Sequence, residues 1–247
     1  MLRLLCVTAH PDDEAGGFGG TLLLYAERNV ETYVICLTDG QAATHRGGAQ
    51  DGAHLGQMRR TELARACALL KVKQFEVLGF QDGKLDQQPT ATVAGELVER
   101  IRKLKPHVML TFGTEGAVTA HPDHSMASLF ATAAYHWAGR SNRYTEQIES
   151  GVAPWRVQKL YYGTSDFLIE GRQPISPAPW TAVIDIGERG LRTKRDAFAA
   201  HTTQNPLLPI FENNINQRGA RELFHLANSV WQRPIANETD LFEAVQE

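Results

Sequence analysis

The chain has 247 residues, of which 43% are hydrophobic, and a formal net charge of −3. That is enough apolar material for a sizeable core in one domain spanning residues 1–247. Charges of both signs are dispersed, so no basic stripe marks a nucleic-acid surface, and no apolar run is long enough to span a bilayer.

Leu2–Val7 reads as the first strand. It is too short for the apolar region of a secretory signal with its cleavage site, so a cytoplasmic protein is the default expectation. Cys6, Cys36 and Cys67 form no C-x-x-C pair, which suits a reducing compartment and speaks against a structural zinc site. The first strand runs into Ala9-His10-Pro11-Asp12-Asp13-Glu14. Further elements are expected in order: helix Leu22–Arg28, strand Thr32–Leu37, helix Met58–Leu70, strand Phe75–Leu78, helix Val93–Leu104 and strand Val108–Phe112. Next come His121-Pro122-Asp123-His124 and a helix over Ser125–Ala138. The last third is less regular, with strands at Leu160–Gly163 and Ala182–Ile186 and helices at Arg189–Ala200 and Arg218–Ala227. Between them, Arg172–Trp180 is a proline-bearing connection of the kind that shapes binding sites. Strands separated by helices imply an α/β fold, a Rossmann-like and mostly parallel sheet with helices on both faces. Ligands then belong at the carboxyl ends of the strands.

Both polar clusters fall at such ends, so they should face one crevice. His10 and Asp13 lie three apart where a strand gives way to a helix, and His124 is the natural third ligand. Two imidazoles and a carboxylate with a fourth place left for water suit a catalytic Zn2+ site; Fe2+, Co2+ and Mn2+ also accept such donors. Asp12, Asp13 and Glu14 equally suit the N-terminus of the following helix. Other chemistries lack support. There is no G-x-S-x-G elbow, the cysteines sit in apolar or helical contexts, and Leu22 stands where the third glycine of a dinucleotide fingerprint after Gly17 and Gly19 would fall.

The two clusters together resemble the LmbE-like or PIG-L superfamily of zinc-dependent N-acetylglucosaminyl deacetylases. The likeness extends to Gly19-Gly20-Thr21, Thr38-Asp39-Gly40, Arg59-Arg60-Thr61-Glu62, Leu78 to Gly83, and His201-Thr202-Thr203-Gln204. Ala120 and Thr203 depart from the glycine and serine common at those places. The resemblance implies His10, Asp13 and His124 as metal ligands, Asp12 as general base, and His121 as the group that meets the oxyanion, oriented by Asp123. It implies substrate contacts at Arg59 and Asp82, an amino-sugar substrate, and a homo-oligomer, trimer or hexamer. If His121 is protonated, it adds an alkaline limb to the pH profile. Hydrolysis of another amide, such as that of a sugar-thiol conjugate, and a catalytically silent sugar-binding protein are the alternatives. His201 and the loop from Gln41 to Gly56 have no assigned role.

Overall fold

The computed structural model describes residues 1–169, 171, 173–232 and 237–247. Strand β1 (Arg3–Thr8) is buried along almost its whole length, as a central parallel strand covered on both faces must be. Helix α1 (Asp13–Glu27) leads to β2 (Glu31–Thr38), and α2 (Gly52–Leu69) to β3 (Gln74–Phe80). Then follow α3 (Thr90–Leu104), β4 (Val108–Phe112), α4 (Pro122–Ala138), the short α5 (Thr145–Glu149) and β5 (Lys159–Thr164). The chain closes with β6 (Ala182–Asp185), α6 (Gly187–Ala199), α7 (Leu208–Arg218) and β7 (Arg221–Ser229).

These strands form one seven-stranded sheet in the order β3-β2-β1-β4-β5-β7-β6. The pairs from β3 through to β5 are parallel, and β7 runs antiparallel to both β5 and β6. Helices α1, α2 and α6 pack together, as do α3 and α4, and the two groups cover opposite faces of the sheet. The Rossmann-like architecture is therefore as expected. Strand order reverses between β1 and β4, and a crevice opens above the carboxyl ends of two strands that diverge in this way. The loop after β1 carries the first polar cluster and the loop after β4 the second.

Helix α2 begins at Gly52, ahead of Met58, and α5 and most of α7 lie outside the expected elements; two further differences have a clear physical cause. Helix α1 starts at Asp13, well before Leu22, although glycine disfavours helices. Packing overrides the propensity: a Cβ on Gly20 would lie 2.3 Å from Ile186 Cδ1, so the glycines let α6 approach closely. The segment expected as helix Arg218–Ala227 is instead the end of α7 followed by β7. Gly219, at φ 67° and ψ −152°, ends the helix in a conformation that favours glycine, and pairing with β5 and β6 fixes the next residues as strand. The proline-bearing connection begins at Arg172, which lies outside the described residues, as does Glu170; Ile175 and Pro177 within it line the cavity described below.

Candidate active site

The loop after β1 turns sharply. Asp12 adopts φ 115° and ψ −25°, a conformation that costs a non-glycine residue about 1–3 kcal/mol and survives only where its surroundings enforce it. Three contacts do so. The Asp12 N–H donates to Glu14 Oε2 at 3.0 Å, Arg59 Nη2 donates to Asp12 Oδ2 at 3.1 Å, and the same nitrogen donates to the Pro11 carbonyl. Arg59 Nη1 donates to the Gly40 carbonyl at 3.1 Å. Arg59, read from the sequence as a substrate contact, lines the cavity, yet both its terminal nitrogens are spent on holding this loop and the Asp12 carboxylate.

Asp13 turns the other way. Its Oδ2 accepts the His10 N–H at 2.7 Å and lies 3.5 Å from His10 Nδ1, while Oδ1 lies 3.1 Å from His124 Nε2. Bonds of about 2.0–2.2 Å to a tetrahedral ion set neighbouring donor atoms roughly 3.3 Å apart, so these separations suit a shared metal. The unused ring nitrogens also have the partners expected of ligating histidines. His10 Nε2 faces Asp82 Oδ1 at 3.0 Å and Asp123 Oδ2 at 3.3 Å, and His124 Nδ1 lies 3.3 Å from Thr119 Oγ1. Among the described residues, the donor atoms of His10, His121 and His124 lie within 4.8 Å of one another, as do those of His10, Asp82 and Asp123. Asp82 and Asp123 are further committed to backbone N–H groups, those of Ala42 and of Gly83 and Leu85.

Those contacts bear on two further expectations. Asp82, expected as a substrate contact, is buried in the cavity lining with Oδ1 facing His10 Nε2, where it braces the ring. Asp123 does not orient His121 through its carboxylate; its backbone N–H donates to His121 Nδ1 at 3.2 Å, capping α4, while the carboxylate turns to His10 and the Gly83–Leu85 loop.

The electrostatics sort these groups. Burial raises Asp12 to about 6 despite the opposing Arg59 guanidinium. Burial also opposes ionisation of Asp13, but His124 and His10 outweigh it and hold the carboxyl well below its ordinary range. For His10, the carboxylates of Asp123, Asp13 and Asp82 overcome burial and favour a positive ring. Burial, joined by His10 and His124, lowers His121. With Nδ1 accepting the Asp123 backbone N–H, Nε2 is left as the ring's donor, and both this bond and the lowered pKa disfavour the imidazolium.

The late motif, without a role in the sequence, binds the site from behind. His201 Nε2 meets Glu14 Oε1 at 2.7 Å, both side chains fully buried. Thr202 and Thr203 together donate three hydrogen bonds to Glu62, and Gln204 donates to the His45 carbonyl. The segment from Gln41 to Gly56 is a loop only as far as Asp51, the N-cap of α2; it is held at Ala42 by Asp82 and at His45 by Gln204, and Ala42, Ala43, Thr44 and His45 form cavity wall. Glu14 was legible only as a helix cap; its distant partner was not. The cavity holds about 580 Å3, with His10, Asp12, Asp13, His121 and His124 all in its lining.

The fold and this crevice together define an α/β protein with a buried imidazole–carboxylate group, fit to hold a metal, at the switch point of its sheet. The chain belongs to the PIG-L family: the family model described as GlcNAc-PI de-N-acetylase matches residues 5–135. It is 31% identical over 250 aligned positions to a 1D-myo-inositol 2-acetamido-2-deoxy-alpha-D-glucopyranoside deacetylase of Rhodococcus opacus, covering 84% of this chain and 83% of the relative. A diacetylchitobiose deacetylase of Thermococcus kodakarensis is 32% identical over 197 positions, covering 79% and 70%. The crystal structure of the conserved protein TT1542 of Thermus thermophilus superposes with a TM-score of 0.74 at 26% identity, covering 95% of this chain and 98% of the other.

Proposed function

We propose that the protein is a metal-dependent hydrolase that removes the acetyl group from an N-acetylated amino sugar or an N-acetylglucosaminyl conjugate. The observation that carries this reading is the pairing of two half-buried carboxylates with opposite commitments. Asp13 is shared between His10 and His124, while Asp12, next in the chain, is turned away, raised to about 6, and free to exchange a proton near neutrality. His10, Asp13 and His124 would hold the ion, Zn2+ first, with Fe2+, Co2+ or Mn2+ as substitutes. Bound there, such an ion supplies an activated water and polarises the amide carbonyl.

The remaining work falls to side chains. Asp12 takes the proton of the attacking water and returns it to the leaving amine, and Arg59 keeps its carboxylate aimed. His121 Nε2–H donates to the oxygen that becomes anionic as the carbonyl carbon turns tetrahedral, where a preorganised donor is worth most. Asp82 and Asp123 fix the His10 ring. The buried free thiols accord with a reducing, cytoplasmic setting, and a trimer or hexamer is part of the reading. Among the described residues no helix is long and apolar enough to cross a membrane.

The test is a panel of N-acetylglucosaminyl compounds incubated with metal-reconstituted protein and scored for acetate and free amine. Acetate with stoichiometric amine is expected. Amine without acetate would assign hydrolysis of another amide, as in a sugar-thiol conjugate, and neither product would make the chain a silent binder.

A further inference from the structure

More of the cavity wall is apolar than polar. Phe167, Ile169, Leu191, Leu207, Ile210 and Phe211 supply much of that wall, interrupted by polar groups such as Gln204 and Asn214. At the end of α7, Arg218 reaches this wall; Lys194 and Arg221, which also line the cavity, are paired with Glu222 and Asp166. Arg218 lies across the Phe167 ring, 5.2 Å from its centroid, and donates from Nη2 to the Thr164 carbonyl at 3.3 Å. Its Nε is buried without any hydrogen-bond partner among the described residues. The carboxylates nearest in the chain have other commitments. Glu222 binds Lys194 and the Gly20 and Thr21 N–H groups, and Asp166 faces Arg221 at 3.7 Å. A guanidinium buried short of partners is costly unless something fills its planar fork, and the fork matches a carboxylate or phosphate.

Resting on the deacetylase reading, we propose that the substrate is an N-acetylamino-sugar conjugate whose aglycone is apolar and ends in an anion, received by Arg218. The apolar walls desolvate the spacer, and the arginine fixes how far the conjugate enters, so the acetamido group stops between Asp12 and His121. Carboxylate and phosphate share this chemistry, and the assay separates them.

Acetate release is measured from four N-acetylglucosaminides in both anomers, with methyl, phenyl, 4-carboxyphenyl and 4-phosphonooxyphenyl aglycones. Burying a phenyl group should raise kcat/KM about tenfold or more over methyl, and pairing the anion should add about tenfold, mainly through KM. The better of the two anions identifies the source. Arg218→Gln should erase the anionic advantage, bringing both anionic compounds down to the rate of the phenyl compound with the same variant, and a wild-type-like urea unfolding midpoint shows that the variant is folded. The wild-type ranking decides alone if that variant fails to fold. Equal kcat/KM for methyl and both anionic compounds would overturn the proposal while leaving the deacetylase reading intact. No acetate from any of the four would overturn both.

Discussion

Replacing His201 by Leu removes one partner of a pair that water does not reach. His201 and Glu14 are both fully buried and 2.7 Å apart, so the variant leaves the Glu14 carboxylate inside the protein with only the Asp12 N–H to satisfy it. Breaking such a pair from one side costs about 3–5 kcal/mol. At a urea m-value of about 3 kcal/mol/M for a chain of this size, the unfolding midpoint should fall by about 1 M or more. The sign with pH follows from His201. Burial works against its charge, but Glu14 outweighs burial and raises the ring above its ordinary 6.5. A group raised in the folded state contributes fully below 6.5 and loses that contribution as pH climbs through the raised value. The gap between wild type and variant should therefore be widest near pH 6 and narrow above it. Urea titrations at several pH values, with metal content and kcat measured alongside, form the assay. Because Glu14 also holds the strained Asp12 backbone, kcat should fall while metal content stays. An unchanged midpoint, or a gap that widens with rising pH, would refute the reasoning.

His124→Ala should bind far less metal than wild type by elemental analysis, since it removes one of three ligands. Asp12→Asn should keep its metal and lose roughly two to four orders of magnitude in kcat, the usual worth of general acid–base catalysis; loss of metal instead would make Asp12 a ligand. His121→Ala should lower kcat by about a hundredfold to a thousandfold with little change in KM, and should keep the wild-type alkaline behaviour, because the ring is uncharged before the reaction begins. Asp82→Asn should weaken metal affinity by about 10- to 100-fold, as loss of a ligand's outer partner does, and leave KM alone at saturating metal; a raised KM would return Asp82 to the substrate.

The sequence was most informative where one physical cause acts alone. The buried runs of β1, β2 and β4 have no polar face, so composition marks them, and the polar clusters necessarily follow where those runs end. It was least informative where two distant segments decide together. The glycines of α1 make sense only against Ile186, and β7 is a strand because β5 and β6 flank it. For the site, residue types were legible but directions were not. Arg59 and Asp82 occupy the crevice as expected, yet one turns to Asp12 and the other to His10, a choice set by backbone carbonyls and N–H groups that spacing does not encode.

Every side chain assigned to the chemistry lies within the first 124 residues, but Glu14 waits for a partner 187 positions further on. During synthesis the emerging chain therefore holds the whole reactive inventory long before it can organise it. Until His201 arrives, the turn at Asp12 lacks the far side of its support, and the threonines that cover Glu62 are not yet present. Competence for the reaction is thus deferred to the closing stage of folding, and a chain stalled or cut ahead of His201 would carry the motifs without their support.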